Sequence, residues 1–82
     1  MLQLTDEELL KLMKLSGLQF YTLAEIHKVI IQGNIKCNIA EVRQRITTLH
    51  RDGYIGNEPT GDGVNMYYII INPEDITENT ET

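Results

Sequence analysis

Three segments of this sequence pair a helix-capping side chain with a glutamate three positions later. The pairs are Thr5 with Glu8, Thr22 with Glu25, and Asn38 with Glu41. In such a capping box, the first side chain accepts a hydrogen bond from the backbone at the start of the helix, and the glutamate accepts one from the backbone of the capping residue. The pattern therefore predicts three helices, which begin near residues 6, 23 and 39.

Apolar side chains recur at helical spacing after each cap, and a glycine follows each run. We expect helix 1 to run to about Ser16 and helix 2 to about Gln32, while helix 3 ends at Gly53, where a left-handed residue is favoured. The side chains expected to face the core are Leu9, Leu12 and Met13, then Leu23, Ile26 and Ile30, then Val42, Ile46 and Leu49.

The apolar arc of helix 1 is wider than one packing face needs. The additional apolar residues are Leu10 and Leu15 within the helix and Leu2 and Leu4 before it. Exposed apolar surface of this kind is unfavourable on a small domain unless it is covered. We therefore expect a homodimer that forms through helix 1.

The remaining segments have β-strand character. Gln19–Tyr21 is a short aromatic stretch between helices, and Val64–Ile71 is rich in β-branched and aromatic residues. Together with 54–57 and the turn-forming residues of 58–63, the second stretch predicts a β-hairpin. The alternation leaves open which face of 64–71 is buried.

The chain of 82 residues is expected to form one α+β domain over residues 1–73. Its order is α-β-α-α-β-β, with a three-helix core and a small three-stranded antiparallel sheet. Residues 74–82 contain four carboxylates and no apolar pattern, so they are expected to be a disordered acidic tail.

The charge is distributed unevenly along the chain. The net charge is −5, but residues 36–51 carry Lys36, Arg43, Arg45 and Arg51 against only Glu41, a local net charge of +3. We expect Arg45 to pair with Glu41, four residues before it on the same helix. Nonspecific affinity for nucleic acid should be weak, because it scales with the number of phosphates that the protein neutralises.

Several classes of protein find no support in these residues. The single cysteine, Cys37, cannot form an internal disulfide, and its spacing to His27 and His50 matches no metal-site pattern. The start of the chain lacks a signal-peptide pattern, and no apolar run is long enough to span a membrane. No catalytic constellation or phosphate-binding loop is present. We therefore expect a cytoplasmic protein that is not an enzyme and uses no metal or cofactor.

The strongest pattern in the chain is the run from Val42 to Ile55, which reads VRQRITTLHRDGYI. It resembles the recognition-helix signature of the winged helix-turn-helix family, and the resemblance extends over about residues 5–71. This likeness implies sequence-specific binding of double-stranded DNA, with helix 3 in the major groove, and a role in transcription regulation.

The resemblance also assigns residues to the interface. Five are expected to face base edges: Ala40, Glu41, Arg43, Gln44 and Thr47. Thr22, Lys36 and Arg51 are expected to reach phosphates. Arg43 can form two hydrogen bonds to guanine and Gln44 two to adenine.

A second reading remains open. The hairpin turn carries Glu58 and Asp62 and no cation, and the tail is acidic. A winged helix with these charges is also suited to bind a basic surface of a larger protein, as a small viral or accessory factor would. The tyrosines at 54, 67 and 68 are expected to pack the sheet against the helices, with base stacking as the alternative.

Overall fold

The computed structural model describes residues 3–72. It contains three helices and two strands: α1 (Asp6–Leu15), α2 (Leu23–Gln32), α3 (Ile39–Arg51), β1 (Ile55–Pro59) and β2 (Asn65–Ile69). The expected tail at 74–82, the domain boundary at residue 73 and the contribution of Leu2 lie outside the described residues. Within the described part, no helix has both the length and the apolar character that a membrane span requires.

All three predicted capping boxes are confirmed. The side chains of Thr5, Thr22 and Asn38 accept hydrogen bonds from the backbone three residues later, at 2.9–3.1 Å. The partner glutamates accept the reciprocal bond from each capping N–H, at 2.8–3.0 Å. The helix starts are thus fixed by interactions local to the chain.

The helix ends differ in how the chain reverses direction. Gly17 and Gly53 follow α1 and α3 with φ angles of +81° and +82°, as a left-handed termination requires. After α2, Gly33 has a φ of −84°, and Asn34 takes the left-handed position with a φ of 65°. Asparagine tolerates this conformation better than other side chains do.

The core lies between the three helices and the inner face of the hairpin. Its fully buried side chains are Leu9, Leu10, Met13, Tyr21, Ile26, Ile30, Val42, Ile46, Leu49 and Ile55. The inward faces predicted for α2 and α3 are confirmed, although Leu23 is only half-buried.

The predicted inner face of α1 is wrong in part. Leu10 is fully buried, whereas Leu12 is half-buried and Leu15 is 82% exposed. The buried arc is rotated around the helix axis toward Leu10. One contact that fixes this orientation is the hydroxyl of Tyr21, which donates to the carbonyl oxygen of Met13 at 2.6 Å.

The sheet has two antiparallel strands, and the third predicted strand is reduced to a single bridge. Tyr21 exchanges two backbone hydrogen bonds with Tyr67, at 2.7 and 2.8 Å. The pairing extends no further because the next residue, Thr22, is already the N-cap of α2.

The structure also shows which face of the hairpin is buried. Tyr67, Ile69 and Ile71 pack against the core, whereas Val64 and Ile70 are exposed. On the outer face, the ring of Tyr68 covers Gly56 of the neighbouring strand and makes an edge-on contact with Phe20, with ring centroids 5.9 Å apart.

Candidate nucleic-acid interface

The outer face of α3 is a polar ridge on the side of the helix opposite its buried residues. Its members are Ala40, Arg43, Gln44, Thr47 and Arg51, all exposed. At a rise of 1.5 Å per residue, the ridge extends over roughly 16 Å along the helix. We call this set the α3 ridge. The opposite side of the helix is held in the core by Val42, Ile46 and Leu49, so the ridge is carried on a rigid element.

Arg43 and Gln44 occupy the centre of the ridge. Neither side chain has a hydrogen-bond or ion-pair partner among residues 3–72. The hydroxyl of Thr47 donates to the backbone oxygen of Arg43 at 2.9 Å and keeps its lone pairs available as acceptors. A guanidinium, an amide and a hydroxyl are therefore presented together to the solvent.

Arg51 lies at the C-terminal end of the ridge and has a local partner. Its Nε donates to a carboxylate oxygen of Asp52 at 3.4 Å, and 72% of the arginine side chain is exposed. Exposed pairs of this type contribute little to stability. Arg51 can therefore exchange this partner for a phosphate at small cost.

Arg45 contacts the start of α1. Its Nη1 donates to the carbonyl oxygen of Leu4 at 2.6 Å and to the carboxylate of Asp6 at 3.2 Å, and its pairing with Glu41 stays a prediction. Only 23% of its side chain is exposed. This arginine joins α3 to the start of α1, so the positive charge available at the ridge is smaller than the count over 36–51 suggests.

Two other residues of the predicted interface have roles in the caps. The hydroxyl of Thr22 accepts the N–H of Glu25 at 3.1 Å, and the carboxylate of Glu41 accepts the N–H of Asn38 at 3.0 Å. Both residues are half-buried. Lys36 is exposed on the connection between α2 and α3, beyond the N-terminal end of the ridge.

One contact at this connection was missed by the sequence interpretation. The Nε2 atom of His27 lies 3.1 Å from the carbonyl oxygen of Cys37 and fixes the segment that leads into α3. Burial raises the pKa of the Cys37 thiol, and the side chain packs against the core as the staple position of a helix start. No periodicity signal links a histidine in one helix to a backbone oxygen ten residues later.

The tip of the hairpin has the opposite charge from the ridge. Glu58 and Asp62 are exposed there, and no lysine or arginine follows Arg51 in the sequence. The hydroxyl of Thr60 donates to Asp62 and lowers the pKa of its carboxyl group. The turn is closed by the N–H of Thr60, which donates to the oxygen of Val64 at 2.8 Å.

Two further observations bear on the chemistry of the described residues. Within residues 3–72, no group of three or more histidine, cysteine or carboxylate side chains is arranged to hold a metal ion. Three open hollows with mostly apolar linings lie on the surface of residues 3–72; one of them, about 290 Å³, lies beside α1, and none of the three is lined by a residue of the α3 ridge.

Comparison of the chain with protein-family models, with curated proteins and with solved structures gave no match.

Proposed function

We propose that this chain is a winged helix-turn-helix protein that binds double-stranded DNA through the α3 ridge. The observation that carries the proposal is the pair Arg43 and Gln44, which are exposed at the centre of a helix whose other face is buried. The side chains of this pair have no partner among residues 3–72. Such side chains have the donor and acceptor geometry that reads guanine and adenine in the major groove.

The order of elements supports the same proposal. Helices α2 and α3 pack against each other, and the hairpin begins four residues after α3 ends. A helix of 13 residues, about 20 Å long, matches the span that a groove-binding helix covers. Arg51, at the C-terminal end of the ridge, and Lys36, on the connection before its N-terminal end, are suited to contact phosphates on either side of the groove.

The test is a selection of duplexes from a random library, followed by fluorescence anisotropy with the selected sequence. We expect Arg43→Ala to weaken binding about ten- to a hundredfold and to relax the preference at one base pair. Gln44→Ala should act similarly at a neighbouring pair. Lys28→Ala, which removes one positive charge from an exposed position of α2, is the control. Unchanged affinity and specificity in both ridge variants would refute the groove assignment.

We also propose that the protein forms a homodimer through α1. Leu10 belongs to the core and contributes nothing to that surface. The highly exposed Leu15 lines a hollow of about 290 Å³, whose other lining residues are Leu4, Glu8, Lys11, Leu12, Gly33 and Ile35. The first turn of α1 is acidic and its second half carries Lys11 and Lys14. Two copies in antiparallel orientation would therefore place opposite charges together around a shared apolar seam.

Sedimentation at several concentrations tests this arrangement. Leu15→Glu should shift the protein to a monomer and reduce affinity for a duplex with two half-sites about 34 Å apart. Val64→Glu, the same change at another exposed apolar position, should leave both properties unaltered. A dimer that survives Leu15→Glu would exclude α1 as its interface.

The acidic hairpin favours one second candidate, a module that binds the basic surface of another protein. Exposed Glu58 and Asp62, with no cation after Arg51, are the observation behind it. One stoichiometric protein partner, lost on Glu58→Lys, together with no salt-sensitive duplex binding, would favour this candidate over DNA recognition.

A further inference from the structure

We propose that an open hollow between the end of α1 and strand β2 binds a small monocarboxylate with a short apolar chain. The hollow has a volume of about 250 Å³ and is lined by Lys14, Gly17, Leu18, Gln19, Tyr21 and Ile69. We call it the α1–β2 hollow. It shares no residue with the α3 ridge, so the inference goes beyond the proposed function and its test needs no DNA.

The hollow lies where the pairing of the segment before α2 with β2 stops. Tyr21 exchanges two backbone hydrogen bonds with Tyr67. In a continuous antiparallel ladder, the next pair of this kind would be Gln19 with Ile69. No backbone hydrogen bond joins these two residues, and both line the hollow. The space between them is therefore not filled by a further pair of strand residues.

Strand β2 supplies a hydrogen-bond donor to this space. Alternate residues of a strand direct their backbone groups to the same edge, and Tyr67 directs its N–H and carbonyl oxygen toward Tyr21. Ile69, two residues later, therefore directs its own N–H to that edge. The N–H of Ile70 donates in the opposite direction, to Tyr54, as this alternation requires. Among residues 3–72, no group accepts a hydrogen bond from the N–H of Ile69 at the edge that faces the hollow.

Lys14 supplies a cation at the rim of the hollow. Its side chain is exposed and has no hydrogen-bond or ion-pair partner among residues 3–72. None of the described residues that line the hollow is a carboxylate. An anion beside Lys14 would therefore gain a charge-assisted hydrogen bond without displacing a protein carboxylate.

The end of α1 offers little opposition to an anion at this place. Free carbonyl groups in the last turn of a helix disfavour negative charge. The carbonyl oxygen of Met13, however, already accepts three hydrogen bonds. The N–H and the hydroxyl of Ser16 donate at 3.1 and 2.6 Å, and the hydroxyl of Tyr21 donates at 2.6 Å. The carbonyl oxygen of Lys14 accepts the N–H of Gly17 at 3.1 Å.

The walls of the hollow favour a ligand with an apolar body over a hydrated ion. The side chain of Leu18 is 43% exposed, and Tyr21 and Ile69 belong to the core or pack against it. The volume of about 250 Å³ corresponds to that of about eight water molecules. Hexanoate has a comparable size. We expect its carboxylate to lie within reach of Lys14 and of the N–H of Ile69, and its chain to cover Leu18.

Titration of the protein with sodium hexanoate at constant ionic strength, followed by amide chemical shifts, tests the site. We expect saturable shifts at the amides of residues 17–19 and 69, with a dissociation constant in the millimolar range for a ligand this small. The amide proton of Ile69 should move downfield because its N–H gains an acceptor. Shifts confined to other parts of the surface, or shifts that do not saturate, would overturn the proposal.

Two matched ligands separate the contributions of the charge and the chain. Hexanamide keeps the chain and removes the charge, whereas acetate keeps the charge and shortens the chain. Each should bind at least about threefold more weakly than hexanoate. Equal affinity for hexanamide would show that the hollow does not select a carboxylate. Equal affinity for acetate would mean an adventitious ion only, held at an exposed lysine. Either result would overturn the proposal.

Variants of the lining residues locate the bound ligand. Lys14→Met removes the charge but keeps the apolar stem, and it should raise the dissociation constant for hexanoate about threefold or more. Lys28→Met removes the same charge from an exposed position of α2 and should leave the constant unchanged. Leu18→Ser should weaken binding of hexanoate more than that of acetate. Spectra without ligand verify that each variant is folded. Equal affinities of the two lysine variants would show that the ligand lies elsewhere.

Discussion

The α3 ridge and the hairpin that follows it are both on the surface, but they use their polar groups in different ways. At the tip of the hairpin, Thr60 and Asp62 satisfy each other and close the turn. On the ridge, Arg43 and Gln44 have no partner among residues 3–72. The fold of the described residues uses the polar groups of the hairpin tip and does not use the side-chain polar groups of Arg43 and Gln44. A surface whose polar groups are not required for the fold is available for recognition.

The variant with the largest expected effect on stability is in the hairpin. A Cβ atom added at Gly56 would lie 2.2 Å from the ring of Tyr68. The ring must then swing away and lose its contact with Phe20. We expect Gly56→Ala to lower the free energy of unfolding by about 2 kcal/mol, measured by urea denaturation. Gln44→Ala on the ridge should leave it unchanged within about 0.5 kcal/mol.

A double variant checks the cause of that loss. Tyr68→Ser removes the ring that the new methyl group would meet, so Gly56→Ala should cost much less when it is added to this variant. Equal costs in the two backgrounds would mean that the glycine acts through its backbone and not through the overlying tyrosine.

A smaller effect on stability is expected from two arginines of α3 that differ in their contacts. Arg45 bonds to the start of α1, whereas Arg43 has no side-chain partner among residues 3–72. Arg45→Ala should lower the free energy of unfolding by about 1 kcal/mol, because it leaves the oxygen of Leu4 and the carboxylate of Asp6 without this donor. Arg43→Ala should have no measurable effect on stability while it impairs DNA binding. The comparison would fail if urea denaturation found both variants equally destabilised.

The smallest effect is a pH dependence at the hairpin tip. The hydrogen bond from Thr60 lowers the pKa of Asp62 in the folded protein. The contribution of this hydrogen bond to stability is therefore fully present above the pKa of Asp62 in the unfolded chain, about 3.9. The contribution is lost as the pH falls through the lower pKa that Asp62 has in the folded protein. Thr60→Ala should raise the titration midpoint of Asp62, as followed by NMR of its carboxyl carbon. A midpoint that stays depressed would assign the shift to the backbone of the turn.

The parts of the fold that sequence predicts are those set by neighbours along the chain. A capping box involves residues three positions apart, and the buried stripe of Val42, Ile46 and Leu49 follows from the helical repeat. These elements are the ones that the structure reproduces without correction, and with them the position of the ridge on α3.

The parts that sequence interpretation misplaced depend on distant contacts. Arg45 bonds to the carboxylate of Asp6, which lies 39 residues away in α1, and no local spacing rule identifies this contact. The orientation of α1, which buries Leu10 and exposes Leu15, is set by packing against α2 and by the hydroxyl of Tyr21. The sequence count overestimates the positive charge available at the candidate interface for the same reason, because only the tertiary structure shows that Arg45 bonds to Leu4 and Asp6.

The overlap of Tyr68 with the space above Gly56 has an evolutionary consequence. These two positions share one volume, so they should change together in any lineage that descends from the same ancestor. A relative with a larger residue at the first position is expected to carry a smaller one at the second. That coupled pair, together with the three capping boxes, defines a signature that a related sequence would be expected to share.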